Sequence, residues 1–262
     1  MSNPFDHYPD KPEFMSTTQQ EAYSRMIHAV QANTLGVLTG EVGSGKSTLL
    51  RVLAASLPVT DYQLIYLCSA GLTPKELYSG ILKAIGETPS FSLSKVKQQW
   101  YEVLDSRASG SSRKLLVMID EAHDLPANTL LELRFLMSHG MEPSPPFAVI
   151  LAGQGQLRST LRKNLFEPIS QRIRMQYHLT GMSAEECSTY IEQRMKAFSM
   201  ERPVFTEDAK RLIHATTQGI PRIINLLCGH ALYAAQKREE NAVEEKTVKS
   251  VIADLERQRG DR

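Results

Sequence analysis

At 262 residues the chain can bury a full core and has room for one α/β domain plus a small appendage, but not for several domains. Its 42% apolar and 23% charged residues exclude a disordered or fibrous chain, and 30 Lys+Arg against 29 Asp+Glu leave a formal charge of +1, so binding to a polyanion would require a local basic surface. Cys68, Cys187 and Cys228 form no C-x-x-C pair, which argues against a zinc site or disulfide framework and for buried, reduced thiols.

The N-terminus, MSNPFDHYPD, is polar, and no window reaches the ~18 apolar residues of a membrane span. No membrane contact is expected, and the compartment expected is the cytoplasm. Short apolar runs bounded by turn residues predict buried parallel strands at Leu35–Leu38, Leu64–Cys68, Leu115–Ile119, Ala148–Leu151 and Met175–Leu179. Helical stretches separate them. Thr73-Pro74-Lys75-Glu76 combines a cap residue, a proline at the first helical position and a Glu that can reach back, so a helix starts there. Repeated βαβ units imply a doubly wound parallel sheet with ligands at the carboxyl ends of its strands.

After Thr180 the strand signals stop. Ser183-x-x-Glu186 opens a helix to about Phe198, and further helices are predicted at Thr206–Thr217, Pro221–Lys237 and Val243–Arg259, with Gly219 ending the second. The domains expected are 1–180, an α/β domain with an N-terminal extension, and 181–262, a helical lid. Ser109–Ser112 and Pro143–Pro146 read as exposed loops, and KREENAVEEK as a solvated helix face.

The chemistry concentrates at strand ends. Gly40-Glu41-Val42-Gly43-Ser44-Gly45-Lys46-Ser47 is a full G-x-x-x-x-G-K-S between the first strand and the apolar helix Leu49–Leu57. Its glycines let backbone N–H groups wrap phosphate oxygens, aided by the positive end of the helix that carries Thr48. Lys46 is expected to reach the β- and γ-phosphates of ATP, and Ser47 to hold Mg2+. Leu115-Leu116-Val117-Met118-Ile119 delivers Asp120 and Glu121 to the end of a buried strand, where two carboxylates need a reason. Asp120 suits Mg2+ and Glu121 suits activation of water as a general base. Asp120-Glu121-Ala122-His123 also spells a box of some helicases, but a second domain of that type does not fit in the chain.

Gln154, after Ala148–Leu151, is placed to position the lytic water or sense the γ-phosphate; an ordinary loop residue is the competing reading. Arg172 is the first choice for an arginine presented to a neighbouring subunit, with Arg174, Arg162 and a plain surface ion pair as alternatives. Arg222 stands in the first turn of the Pro221 helix, where a cation is unfavourable unless an anion lies near; a surface arginine is the simpler alternative.

This order of motifs resembles AAA+ ATPases over nearly the whole chain. Asn3-Pro4-Phe5, Leu151-Ala152-Gly153-Gln154-Gly155-Gln156-Leu157, Gln171-Arg172-Ile173 and Gly219-Ile220-Pro221-Arg222-Ile223-Ile224-Asn225 narrow the resemblance to the ExeA group. It implies strand order 5-1-4-3-2, nucleotide at a subunit interface, and the roles Walker A, Walker B, sensor 1 (Gln154), arginine finger (Arg172) and sensor 2 (Arg222).

Secretion ATPases of this group continue into a membrane span and a peptidoglycan-binding domain. Chains of this size without them resemble the ATPase partners of DDE transposases, the MuB, TnsC and TniB type. The first expectation is therefore an ATP-dependent regulator of DNA transposition that oligomerises as a ring or filament on double-stranded DNA, selects targets and recruits a transposase. The second is the cytoplasmic ATPase domain of an ExeA-type secretion system, and the third a non-hydrolysing scaffold, against which Glu121 speaks. Lys75, Lys83, Lys95, Lys97, Arg107, Arg113 and Lys114 suggest a partly basic surface, to be weighed against a row of solvated charges. No helix-turn-helix is evident, so DNA contact is expected through the backbone.

Overall fold

The computed structural model describes residues 4–5, 14–68, 71–108, 112–138, 146–198 and 204–260. Asn3, most of the loop expected at Ser109–Ser112 and most of that at Pro143–Pro146 lie outside the described residues. After α1 (Thr17–Gln31), the strands are β1 (Leu35–Gly40), β2 (Tyr62–Cys68), β3 (Lys114–Asp120), β4 (Ala148–Gly153) and β5 (Ile173–Leu179). Their order is β2-β3-β4-β1-β5 with every pair parallel, which is the expected 5-1-4-3-2 sheet read from its other edge. The connections carry α2 (Lys46–Ser56), α3 (Pro74–Ala84), α4 (Leu93–Ala108), α5 (Ala127–Leu136), α6 (Gly155–Leu161) and the short α7 (Glu167–Ser170).

The chain divides into two units, Glu21–Gly40 with Lys46–Leu179, and Met1–Gln20 with Glu41–Gly45 and Thr180–Arg262. In the first, β1 and β4 are buried throughout and β3 along all but Lys114, as their Val, Ile and Leu content requires of strands covered on both faces. The edge strands β2 and β5 depart from the predicted continuous burial, because an edge strand has one sheet neighbour and incomplete cover. Cys68, at the end of β2, is accordingly exposed rather than buried. Trp100 of α4 meets Phe147 edge-on (centroids 5.3 Å) and donates its indole N–H to the Leu136 carbonyl at 3.1 Å, so its polar atom is satisfied inside the core. α3 starts where predicted, with reciprocal capping between Thr73 and Glu76.

The second unit holds α8 (Ala184–Lys196), α9 (Glu207–Thr217), α10 (Pro221–Lys237) and α11 (Glu245–Arg259). Ser183 and Glu186 form the predicted capping box of α8. The left-handed residue ending α9 is Gln218 (φ 50°), not Gly219, which follows it at φ 73°. Gly219 answers a different need: a Cβ there would stand 2.1 Å from the Met182 carbonyl oxygen, and one on Gly181 would stand 1.9 Å from that of Gln218. The stretch expected as a solvated helix face leaves α10 at Lys237 and bridges Val243, fully buried, to Phe205. Phe5 packs edge-on against Phe205 (6.0 Å), and the N-terminal segment, expected as an extension of the α/β domain, clusters with these helices. Cys187 and Cys228 are buried, and burial pushes both thiols up, Cys187 to about 11. Among the described residues no helix is long and apolar enough to cross a membrane.

Candidate active site

The register of the sheet gathers the polar residues. Cys68 lies opposite Asp120, and Thr39 opposite Gly153, so β1, β2, β3 and β4 all end on the same side. β1 ends at Gly40, and the loop beyond it turns at Gly43 (φ 83°) and Gly45 (φ 100°), a conformation that side chains rarely adopt. A Cβ on Gly43 would come 2.5 Å from that of Arg222, and one on Gly45 would come 2.7 Å from Gln19 Nε2, so both glycines also answer close contacts inside the second unit. Ser44 is 2% exposed and its hydroxyl has no hydrogen-bond partner. A buried orphan hydroxyl in a loop of this shape fits a site completed by a phosphate oxygen. α2 then begins at Lys46, so the backbone N–H groups of its first turn lie at the helix's positive end. Glu41 and Val42 are exposed at the loop's surface.

Within the first unit, the Lys46 ammonium is buried and donates to the Gly40 carbonyl at 3.0 Å. The Ser47 hydroxyl donates to Asp120 Oδ2 at 2.9 Å, and the Tyr66 hydroxyl donates to the same oxygen at 2.8 Å. The Glu121 N–H donates to Asp120 Oδ1 at 2.9 Å. Asp120 is only 3% exposed, so these three donors are what keep a carboxylate tolerable at a core edge. Burial, followed by the hydrogen bond to Asp120, pushes the Tyr66 phenol well above its usual range. Among the described residues no group of three or more His, Cys, Asp or Glu could enclose a metal. Ser47 and Asp120 instead suit an ion that takes one or two protein oxygens and completes its shell from phosphate and water, as Mg2+ does.

Glu121 sits beside this cluster under different terms. Its backbone is left-handed (φ 52°, ψ 34°), a strained position for a side chain that bears a Cβ. Its Oε2 lies 3.3 Å from His123 Nδ1, and His123 Nε2 lies 3.6 Å from Asp124 Oδ1. His123 is 7% exposed on its side chain, and its Nδ1 also faces the Gln154 N–H at 3.5 Å. The two neighbours of Nδ1 ask for opposite states: the amide needs a lone pair, and the carboxylate needs a proton. Gln154 therefore reaches this cluster through its backbone, at the N-cap of α6.

Arg172 stands at the end of α7 and donates to Ser138 Oγ at 3.2 Å, taking no part in the contacts among Ser47, Asp120 and Glu121. In the second unit the Arg222 N–H donates to the Gly43 carbonyl at 3.3 Å, and its guanidinium has no ion pair or hydrogen bond among the described residues. Of the basic residues between β2 and β3, Lys97 is tied to Glu132 (2.6 Å), and Arg107 is spent on the Arg113 carbonyl and Gln63. Sequence reading missed Tyr66 and passed over His123 as more than a letter of a helicase box. For Tyr66 the signal is register: it lies two residues before Cys68, the partner of Asp120, and a phenol can bridge that diagonal.

Comparisons with known proteins bear on the family and the fold. The chain is 31% identical over 244 residues to "General secretion pathway protein A" of Aeromonas hydrophila, covering 92% of this chain and 44% of that protein. It spans less than half the length of that relative. Among solved structures, the ORC2 protein of Aeropyrum pernix superposes with a TM-score of 0.65 at 18% identity, over 95% of this chain and 71% of that one. Cdc6p of Pyrobaculum aerophilum superposes at 0.68 with 14% identity, over 92% and 67%. Likeness at these identities speaks for the fold alone. Residues 28–161, which hold the glycine-rich loop, Asp120, Glu121 and Gln154, match the family described as AAA domain, and the chain belongs to that family.

Proposed function

We propose that the chain binds ATP with Mg2+ in the loop of residues 40–48, hydrolyses it, and serves as the nucleotide module of a cytoplasmic multi-copy assembly of the secretion type. The observation that carries this reading is the junction of Ser47 and Asp120 at 2.9 Å beside a buried Lys46. Backbone N–H groups of residues 41–48 would hold the phosphate chain, with Lys46 released from Gly40 to the β- and γ-phosphates. Ser47 and Asp120 would hold Mg2+, which when bound offsets charge on the phosphate oxygens. Glu121 takes the proton from the attacking water, and Gln154 orients that water. Arg222 would contact phosphate from within the chain. Arg172, itself exposed and hydrogen-bonded to the half-buried Ser138 hydroxyl, would be presented to the nucleotide of a second copy.

The relative at 31% identity is named for secretion, and this places the secretion-type reading ahead of the transposition reading. Assembly on double-stranded DNA with a transposase partner rests on sequence resemblance, and two cations of the supposed basic surface are engaged internally. One set of measurements tests the proposal. Wild-type protein is expected to bind and hydrolyse Mg-ATP, Lys46→Ala to do neither, and a mixture of Lys46→Ala with inactive Arg172→Ala to recover part of the turnover through mixed interfaces. Nucleotide binding by Lys46→Ala equal to wild type would remove the loop from its role. Mixtures that assemble yet stay inactive would remove Arg172 from the role across copies.

A further inference from the structure

Outside the nucleotide loop, the first unit has a cavity of about 420 Å³ between α6, residues 163–170 and the edge strand β5. Arg158, Arg162, Lys163 and Arg174 line it, with Glu167 as the one acidic residue. The cations come from three elements and converge on one space, unlike a row of charges along an exposed helix. Arg158 and Arg162 are also four residues apart on one helix and its cap, a spacing at which like charges repel.

None of the four has an ion pair among the described residues, whereas Arg25 is tied to Glu21 and Lys210 to Glu192 and Glu207. Glu167 offers one carboxylate against four cations, and it makes no ion pair with any of them among the described residues; its Oε1 accepts from Gln171 Nε2 at 3.1 Å. Arg158 Nε is buried without a hydrogen-bond partner. Solvation accounts for the exposed Arg162, Lys163 and Arg174, and the C-terminal end of α6 favours nearby cations. Neither accounts for a buried N–H left open, since such a group carries a desolvation penalty until an acceptor arrives. Planar guanidinium groups converging on a cavity are suited to the oxygens of phosphate esters. The volume lies within the roughly 300–1,000 Å³ of small-molecule sites.

We propose that this cavity is an autonomous second anion site, for the phosphate chain of a small polyphosphorylated molecule, working with no nucleotide in the 40–48 loop. The same chemistry could also be offered by nucleotide seated in a second copy of the chain, and the experiment separates the two sources. The probe is inorganic tripolyphosphate, titrated by calorimetry and by thermal melting against the Lys46→Ala chain across a salt series. Lys46→Ala is expected to bind it and to melt higher in its presence, with affinity falling steeply as salt rises. Adding Arg158→Gln and Arg174→Gln is expected to weaken binding at least tenfold, with circular dichroism reporting the fold and the single Arg174→Gln change as a milder variant. Absence of binding to Lys46→Ala at low salt, or equal binding by the arginine variants, overturns the site. A response confined to Lys46-intact protein loaded with ATP assigns the cavity to a second copy's nucleotide and overturns its autonomy. Stronger competition by a short DNA duplex than by tripolyphosphate overturns the small-molecule class. ATP binding by Lys46→Ala would count against the loop reading and is measured separately.

Discussion

Asp120 and Glu121 are adjacent in sequence and held in opposite ways. Asp120 is 3% exposed and accepts three hydrogen bonds of 2.8 to 2.9 Å, from Ser47, Tyr66 and the Glu121 N–H. Glu121 is 43% exposed on its side chain, and its carboxylate meets His123 at 3.3 Å. A group that holds an ion gains from being fixed before the ion arrives, because little is then left to reorganise. A group that must take a proton and release it gains from a looser hold. The difference between these neighbours teaches that one strand end supplies both a rigid half-site and an adjustable one.

The most severe way to break this contrast is to remove the carboxylate proposed as the base and keep its shape. Glu121→Gln is expected to bind ATP as wild type does and to lose about 10²- to 10⁴-fold in turnover, the usual range for a general base. Single-turnover hydrolysis beside a binding titration would check it, and wild-type turnover would take the role from Glu121. A smaller effect is expected at His123, which is the link from Glu121 to Asp124 and the Gln154 backbone. His123→Ala should lower kcat roughly tenfold with ATP affinity unchanged, the size expected when a catalytic group loses its orienting partner. An unchanged kcat would mean that the left-handed backbone alone aims Glu121. The mildest change sharpens the other side. Tyr66→Phe removes one of three donors to Asp120, worth about 1 kcal/mol, so Mg2+ half-saturation of nucleotide binding should rise roughly fivefold while binding without Mg2+ stays as it was. Equal weakening with and without Mg2+ would move Tyr66 out of the Asp120 cluster.

The sheet was legible in the sequence because buried parallel strands are written as unbroken runs such as Leu115 to Ile119 and Ala148 to Leu151. The same rule misread Cys68, since an edge strand carries similar letters with less cover. The loop and the two carboxylates were legible because their chemistry depends on spacing along the chain. Tyr66 was not, because its contact depends on register between strands, which one sequence does not state. The four cations around the cavity beside β5 were visible only as scattered letters, because three separate elements bring them together.

The left-handed backbone at Glu121 has a consequence for how this protein can vary. A glycine there would relieve strain of roughly 1–3 kcal/mol, and an asparagine part of it, yet neither could take a proton from water. Selection for sturdiness alone would therefore drift toward an idle protein at this position. With Glu121 in the proposed role of base, glutamate at this position would exchange durability for turnover.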